Sequence, residues 1–127
     1  MAIETIKTSL YTKLESLAGL PQIRYSNVDG VLPTGQYIRP DVLPATTDPV
    51  GIETTDRESG IFQVSIFTTK GGGELEAARI TQILLSGFPR NLQLNGVRFD
   101  RTGSVGASLF EGSWQITPVS FIYINIS

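Results

Sequence analysis

SGIFQVSIFTTKGGGELEAARITQILLSGFPR, residues 59–90, spells a strand, a turn and a helix in that order. Phe62, Val64 and Ile66 alternate with Gln63 and Ser65, the period of two that marks a strand over 61–69. Lys70-Gly71-Gly72-Gly73 breaks it. Beyond the turn the period changes: Ala77, Ile80, Ile83, Leu84 and Phe88 form the buried stripe of a helix over 74–86. Glu74 and Glu76 suit its positive end, Gly87 caps it and Pro89 prevents its continuation.

The flanks extend this unit. Ile3, Ile6, Leu10, Leu14 and Leu17 make one apolar stripe, so residues 2–18 read as a first amphipathic helix stopped by Gly19 and Pro21. Short strands follow at 22–26 and 35–40, around the turn-rich Ser26–Gly30 stretch. From Pro40 to Ser59 the prolines 40, 44 and 49 with Gly51 predict an irregular loop. Loops of that length are commonly functional, and Val42, Leu43, Val50 and Ile52 are its candidate partner-docking residues. Downstream, Asn95-Gly96 between Leu92–Leu94 and Val97–Phe99 is a two-residue hairpin signal. A long closing strand spans 112–126, with Pro118 marking an edge or a bulge. The order predicts a single α+β domain over 1–127: a mostly antiparallel sheet of four to five strands with two packed helices.

Composition narrows the chemistry. The 127 residues include no cysteine and no histidine. Thiolate nucleophiles, disulfides, Ser-His-Asp triads and Cys- or His-ligated metals are therefore excluded. Ten Lys+Arg against twelve Asp+Glu give a net charge of −2, without the basic stripe that tight nucleic-acid binding needs. The longest apolar runs, Ile83–Leu85 and Phe121–Ile124, fall far short of a membrane span.

Each motif that might carry chemistry fails on its neighbours. Lys70–Gly73 has the P-loop order reversed, and Glu74 and Glu76 would repel a phosphate. Aligning Gly30 with the invariant glycine of a calcium loop puts Tyr25 and Gln36 where carboxylates belong. The acid pairs Asp56/Glu58 and Glu74/Glu76 have no apolar pocket to separate their pKa values. Arg90, Arg98 and Arg101 read as hairpin surface charges. No catalytic, cofactor-binding or metal-ligating residue is assigned, and the protein is read as a non-enzyme with a structural or binding role.

One pattern asks for a partner. On the closing strand the even positions Trp114, Ile116, Ile122, Ile124 and Ile126 make a complete core face. The odd positions Val119, Phe121 and Tyr123 are apolar as well, and Ile61 and Phe67 add to a second face on the other good strand. An antiparallel sheet with one wet face should alternate cleanly. If both helices lie on one face, Ile61, Phe67, Val119, Phe121 and Tyr123 are the candidate subunit interface; helices split between the two faces would also explain the pattern.

The run Ser59–Phe67, the glycine turn, the helix ending Leu84-Leu85-Ser86-Gly87-Phe88-Pro89-Arg90, and the closing Gly112-Ser113-Trp114-Gln115-Ile116-Thr117-Pro118-Val119-Ser120-Phe121 together resemble the tail terminator-like proteins of long-tailed bacteriophages. The resemblance covers nearly the whole chain and rests on strands and turns, without a catalytic signature. It implies a ring, typically a hexamer of this one chain, assembled in the host cytoplasm and located in the virion at the head-proximal end of the tail. Its implied partners are the tail tube protein, whose polymerisation it stops, and the head–tail connector or stopper that docks on it. Double-stranded DNA would pass through the lumen without specific binding. No cofactor and no membrane are implied. A head-side neck or connector component is the nearest alternative, and a small ligand-binding module a more distant one. With no metal-binding side-chain set, the melting temperature is expected to stay unchanged on adding chelator, calcium or zinc. A reproducible calcium shift in a thermal melt would restore the calcium-loop reading of Asn27–Gly30.

Overall fold

Two amphipathic stripes and one long strand pair organise the chain. The computed structural model describes residues 3–25, 36–44, 48–49, 56–57, 59–69, 74–94, 97–99 and 101–125. Helix α1 is Ile3–Glu15 and α2 is Glu74–Gly87. Lys13 lies in the last turn of α1 and Glu74 and Glu76 in the first turn of α2, each favoured there by the helix dipole. Past the end of α1, Gly19 takes a φ of 86°, a left-handed conformation that glycine adopts without steric penalty.

The strands are β1 Gln22–Ile23, β2 Tyr37–Pro44, β3 Asp48–Pro49, β4 Asp56–Arg57, β5 Ser59–Thr69, β6 Gln93–Leu94, β7 Val97–Phe99, β8 Ser104–Val105, β9 Leu109–Glu111 and β10 Trp114–Asn125. The main sheet runs β1-β2-β5-β10-β7-β6, with β8 and β9 also on β10; β3 and β4 pair as a separate ribbon. Only β1 and β2 are parallel among these pairings. The result is the expected single-domain α+β class, with a mixed, mostly antiparallel sheet.

It has more strands than the sequence predicts. β8 and β9 are short and exposed throughout, so no apolar alternation announces them. The stretch from Pro40 also differs: residues 40–44 continue β2 and pair with Gly60–Val64. Asp48–Pro49 and Asp56–Arg57 form the ribbon instead of irregular chain. Prolines 40 and 44 are tolerated for a geometric reason. The Arg24 N–H donates to the Ile38 carbonyl at 2.9 Å, so Ile38 directs its backbone groups toward the β1 side. Pro40 and Pro44 share that direction by the strand period, and their nitrogens face the open edge.

Register decides the two faces. Phe62 lies opposite Phe121, Val64 opposite Val119 and Ile66 opposite Thr117, while Ile38 and Val42 flank Ile66 and Phe62 on β2. Ile6, Leu10 and Leu14 from α1 and Ala77, Ile80 and Leu84 from α2 join this set in one core. Both helices thus cover the same side. Phe88, just past α2, meets Phe62, Phe99 and Phe121 with ring centroids 5.2–5.5 Å apart, within the range of favourable aromatic pairs.

This corrects the expected interface. Val119 and Phe121 are fully buried and Tyr123 is 2% exposed, inside the subunit's own core. Trp114, Ile116 and Ile122 occupy the opposite, half-buried face. Both faces of β10 are apolar, so alternation separates two sets without saying which is inside. Val42 moves likewise from the docking loop into the core.

Two glycines fit around the inverted face. A Cβ on Gly60 would overlap the Tyr123 ring opposite it, and one on Gly103 would overlap Phe121. Phe121 is thus enclosed by rings and backbone. Phe121→Ala is expected to cost about 3–5 kcal/mol of stability in denaturant unfolding. Phe121→Glu should abolish the folded state, read as loss of the near-ultraviolet circular-dichroism signal. A native spectrum for the Glu variant would contradict this burial.

Candidate interaction face

The side of the sheet away from the helices is ordered by the same register. Reading across β2, β5 and β10 gives Tyr37–Phe67–Ile116, then Arg39–Ser65–Pro118, Asp41–Gln63–Ser120 and Leu43–Ile61–Ile122. Two apolar ends are therefore separated by a largely polar band. Among the described residues neither helix covers any of it. Leu43 is 47% exposed and Ile61 37%, and Leu109 on β9 extends the Tyr37 row past Ile116.

The Tyr37 end is a built concavity of about 460 Å³, lined by Tyr37, Arg39, Phe67, Glu111, Trp114 and Ile116 among others. Tyr37 and Phe67 stack at 4.4 Å and 8°, a cross-strand pair of aromatic rings. Trp114 meets both edge-on, at 5.5 and 6.3 Å. The Arg39 guanidinium carbon lies 5.3 Å from the Phe67 ring centre, a cation–π distance. Its Nε is buried without a hydrogen bond; Asp41 Oδ2 at 3.4 Å is within ion-pair range only. Tyr, Trp and Arg are the residue types that dominate binding hot spots.

The electrostatics of the described residues are quiet. Burial raises the Tyr37 phenol above its ordinary pKa; Glu111 adds to the shift, and Arg39 and Arg24 oppose it. Burial also raises Tyr11, helped by Asp41. Tyr25 is raised by burial and by donating its hydroxyl to Glu15. Glu76 pairs with Arg79, and that hydrogen bond holds its carboxyl below the usual range. One member of the Glu74/Glu76 pair is thus engaged in a surface ion pair, which offers no basis for acid–base chemistry.

Of the expected interface residues, Ile61 and Phe67 lie on this outer face, whereas Val119, Phe121 and Tyr123 lie beneath the helices. Of the expected docking residues, Leu43 is on the outer face and Val42 is in the core; Val50 and Ile52 fall outside the described residues. Sequence reading missed Tyr37, Arg39 and Leu109 as members of this face, and placed Trp114, Ile116 and Ile122 on the wrong one. The available signal was the even set Phe62, Val64 and Ile66, which needs a partner face as apolar as itself.

An aromatic concavity lined by Tyr, Trp and Arg has the side chains that dominate protein-binding surfaces. Comparison with known proteins agrees: the profile of a phage tail terminator protein family matches residues 5–123. The chain belongs to the phage tail terminator family. A solved protein structure superposes with a TM-score of 0.78 at 25% identity, covering 100% of this chain and 97% of that one. No curated protein matches the chain. The tail terminator family is structural; membership implies that the chain caps the tail tube and belongs to the virion tail.

The raised phenols set the pH behaviour of this tail terminator. A phenol whose folded pKa exceeds its unfolded value stabilises the fold below about pH 10, and that stability is lost as pH rises toward the folded value. With no histidine or cysteine, unfolding free energy should be flat between about pH 6 and 9 and fall above about pH 10. Denaturant unfolding followed across this range, with phenolate absorbance, checks it. A step near neutrality would contradict the assignment.

Proposed function

We propose that this protein closes into a homohexameric ring on the head-proximal end of the tail tube. There it ends polymerisation of the tube protein and presents the surface on which the head–tail connector or stopper docks. The observation that carries the ring is the outer sheet face: a folded subunit leaves Leu43 and Ile61 exposed at one end, and Leu109 exposed near the aromatic concavity at the other. Exposed apolar patches of this kind mark protein interfaces. Closure by rotation needs two different surfaces on each subunit, so the sheet face supplies one half of each joint.

Double-stranded DNA passes through the hole without specific binding in this reading. The net charge of −2 supports that, because a strongly basic lumen would hold phosphates and slow passage. Ile61 remains an exposed interface residue in this proposal, joined by Leu43, while Phe67, only 6% exposed, contributes as the floor of the concavity. Val50 and Ile52 remain candidates for docking on the tube.

Negative-stain microscopy of the purified protein, alone and mixed with tail tubes, tests the proposal. Small rings, and caps at one end of each tube, are expected. Light scattering should give six times the subunit mass. A protein that stays monomeric and leaves tube ends bare would overturn the reading. Attachment to head-side connectors with no tube capping would place it in the neck instead.

A further inference from the structure

A sheet can be covered by helices on both faces, and among the described residues helices cover only one face of this sheet. The helical layer in turn carries an unmatched feature. Leu75, in the first turn of α2, is 86% exposed, more than any other large apolar side chain among the described residues. Ala78, Arg79 and Gln82 continue the same exposed stripe, and the small Ala78 leaves room for close approach.

Position links this knob to the aromatic concavity. β5 ends at Thr69, which pairs with Trp114 in the concavity wall. After four intervening residues α2 begins. Leu75 therefore stands at the same end of the sheet as the concavity, on the opposite side of the slab. Two patches at one level on opposite sides are what a rotation axis brings together in successive copies.

Polar groups give the contact a direction. Arg39 has a buried Nε–H that makes no hydrogen bond, only a 3.4 Å ion pair with Asp41, and its half-exposed guanidinium can take a further carboxylate. Glu74, beside Leu75, is exposed, whereas Glu76 is engaged by Arg79. Glu111 lines the opposite rim of the concavity from Arg39, on β9 rather than β2. It would repel Glu74 placed the other way round.

We propose that the first turn of α2 from a second copy of this chain docks on the outer sheet face. Leu75 enters the Tyr37/Phe67/Trp114 concavity, and the Glu74 carboxylate accepts from the Arg39 guanidinium. This rests on the ring reading and specifies which two surfaces form each joint.

The single tryptophan of the chain, Trp114, lies in the concavity and reports its occupancy. In wild type, its emission should shift to shorter wavelength over the concentration range in which light scattering shows assembly. Leu75→Asp and Arg39→Glu should each raise the concentration needed for assembly at least tenfold, with unchanged circular dichroism. The double variant Arg39→Glu/Glu74→Arg should recover most of the loss. If the single variants assemble like wild type, this contact is wrong while the ring stands. If they are impaired and the double variant is not rescued, the Arg39–Glu74 pairing is wrong. A wild type that never assembles, alone or on tubes, removes both the ring and this joint.

Discussion

The antiparallel ladder between β5 and β10 is the constraint on which the rest depends. It runs without interruption from Trp114 opposite Thr69 to Ile124 opposite Ser59. This fixes which side chains of two long strands share a face. A slip of one residue would move Phe121 and Val119 outward and Trp114 and Ile116 inward. The assignment of core and outer face follows from this register, because β10 is apolar on both sides. Gly60 helps hold it: the Tyr123 ring occupies the space of its missing side chain, so no larger residue fits opposite that position without displacing the ring.

Phe88 joins the ladder to the helices. α2 ends at Gly87, where a Cβ would approach Leu17 to 2.6 Å. Pro89 then prevents another turn, and Phe88 drops into the core with no exposure. Its ring touches aromatic partners from β5, β7 and β10. The stop signal of the helix and the packing of the sheet are thus one device: where α2 ends determines where Phe88 sits. In the same helical layer, α1 contributes Ile6, Leu10 and Leu14 at spacings of four, the same stripe that its sequence displays.

Those helices were legible because a period of 3.6 is a local signal; the glycine stop holds for α2 at Gly87, whereas α1 ends at Glu15, short of Gly19. The Asn95-Gly96 turn was legible for the same reason, and Leu94 does pair with Val97 across it. The core face was not legible, because it depends on contacts between distant strands. Trp114 looks like the natural core residue, yet its register places it opposite Thr69 on the outer side, beside Tyr37 and Phe67. Pro118 reads as an edge marker and instead lies within the sheet. Its carbonyl accepts from the Gly106 N–H at 2.8 Å, so its nitrogen faces the gap between β8 and β9, where no ladder donor is required. The sequence gives the proline; only the neighbouring strands give its meaning.

The edges of the sheet bear on how such a subunit can associate. Along the side of β2 away from β5, which no described strand covers beyond β1, Pro40 and Pro44 direct nitrogens without hydrogens outward, leaving the Val42 N–H as the intervening donor. An added strand would find few donors there. At the other side the pieces β6, β8 and β9 are two or three residues long and staggered along the chain. Short strands and prolines are the usual protections against edge-to-edge growth. Uncontrolled pairing of this kind would be damaging in a protein that must stop a polymer rather than form one. With its edges blunted and one face committed to the core, the outer face is the surface proposed for association. That face is not uniform. Its polar band of Arg39, Asp41, Ser65 and Gln63 separates two apolar ends, so a partner must match both the apolar spacing and the charges between. A sheet divided in this way can fold through one face and assemble selectively through the other.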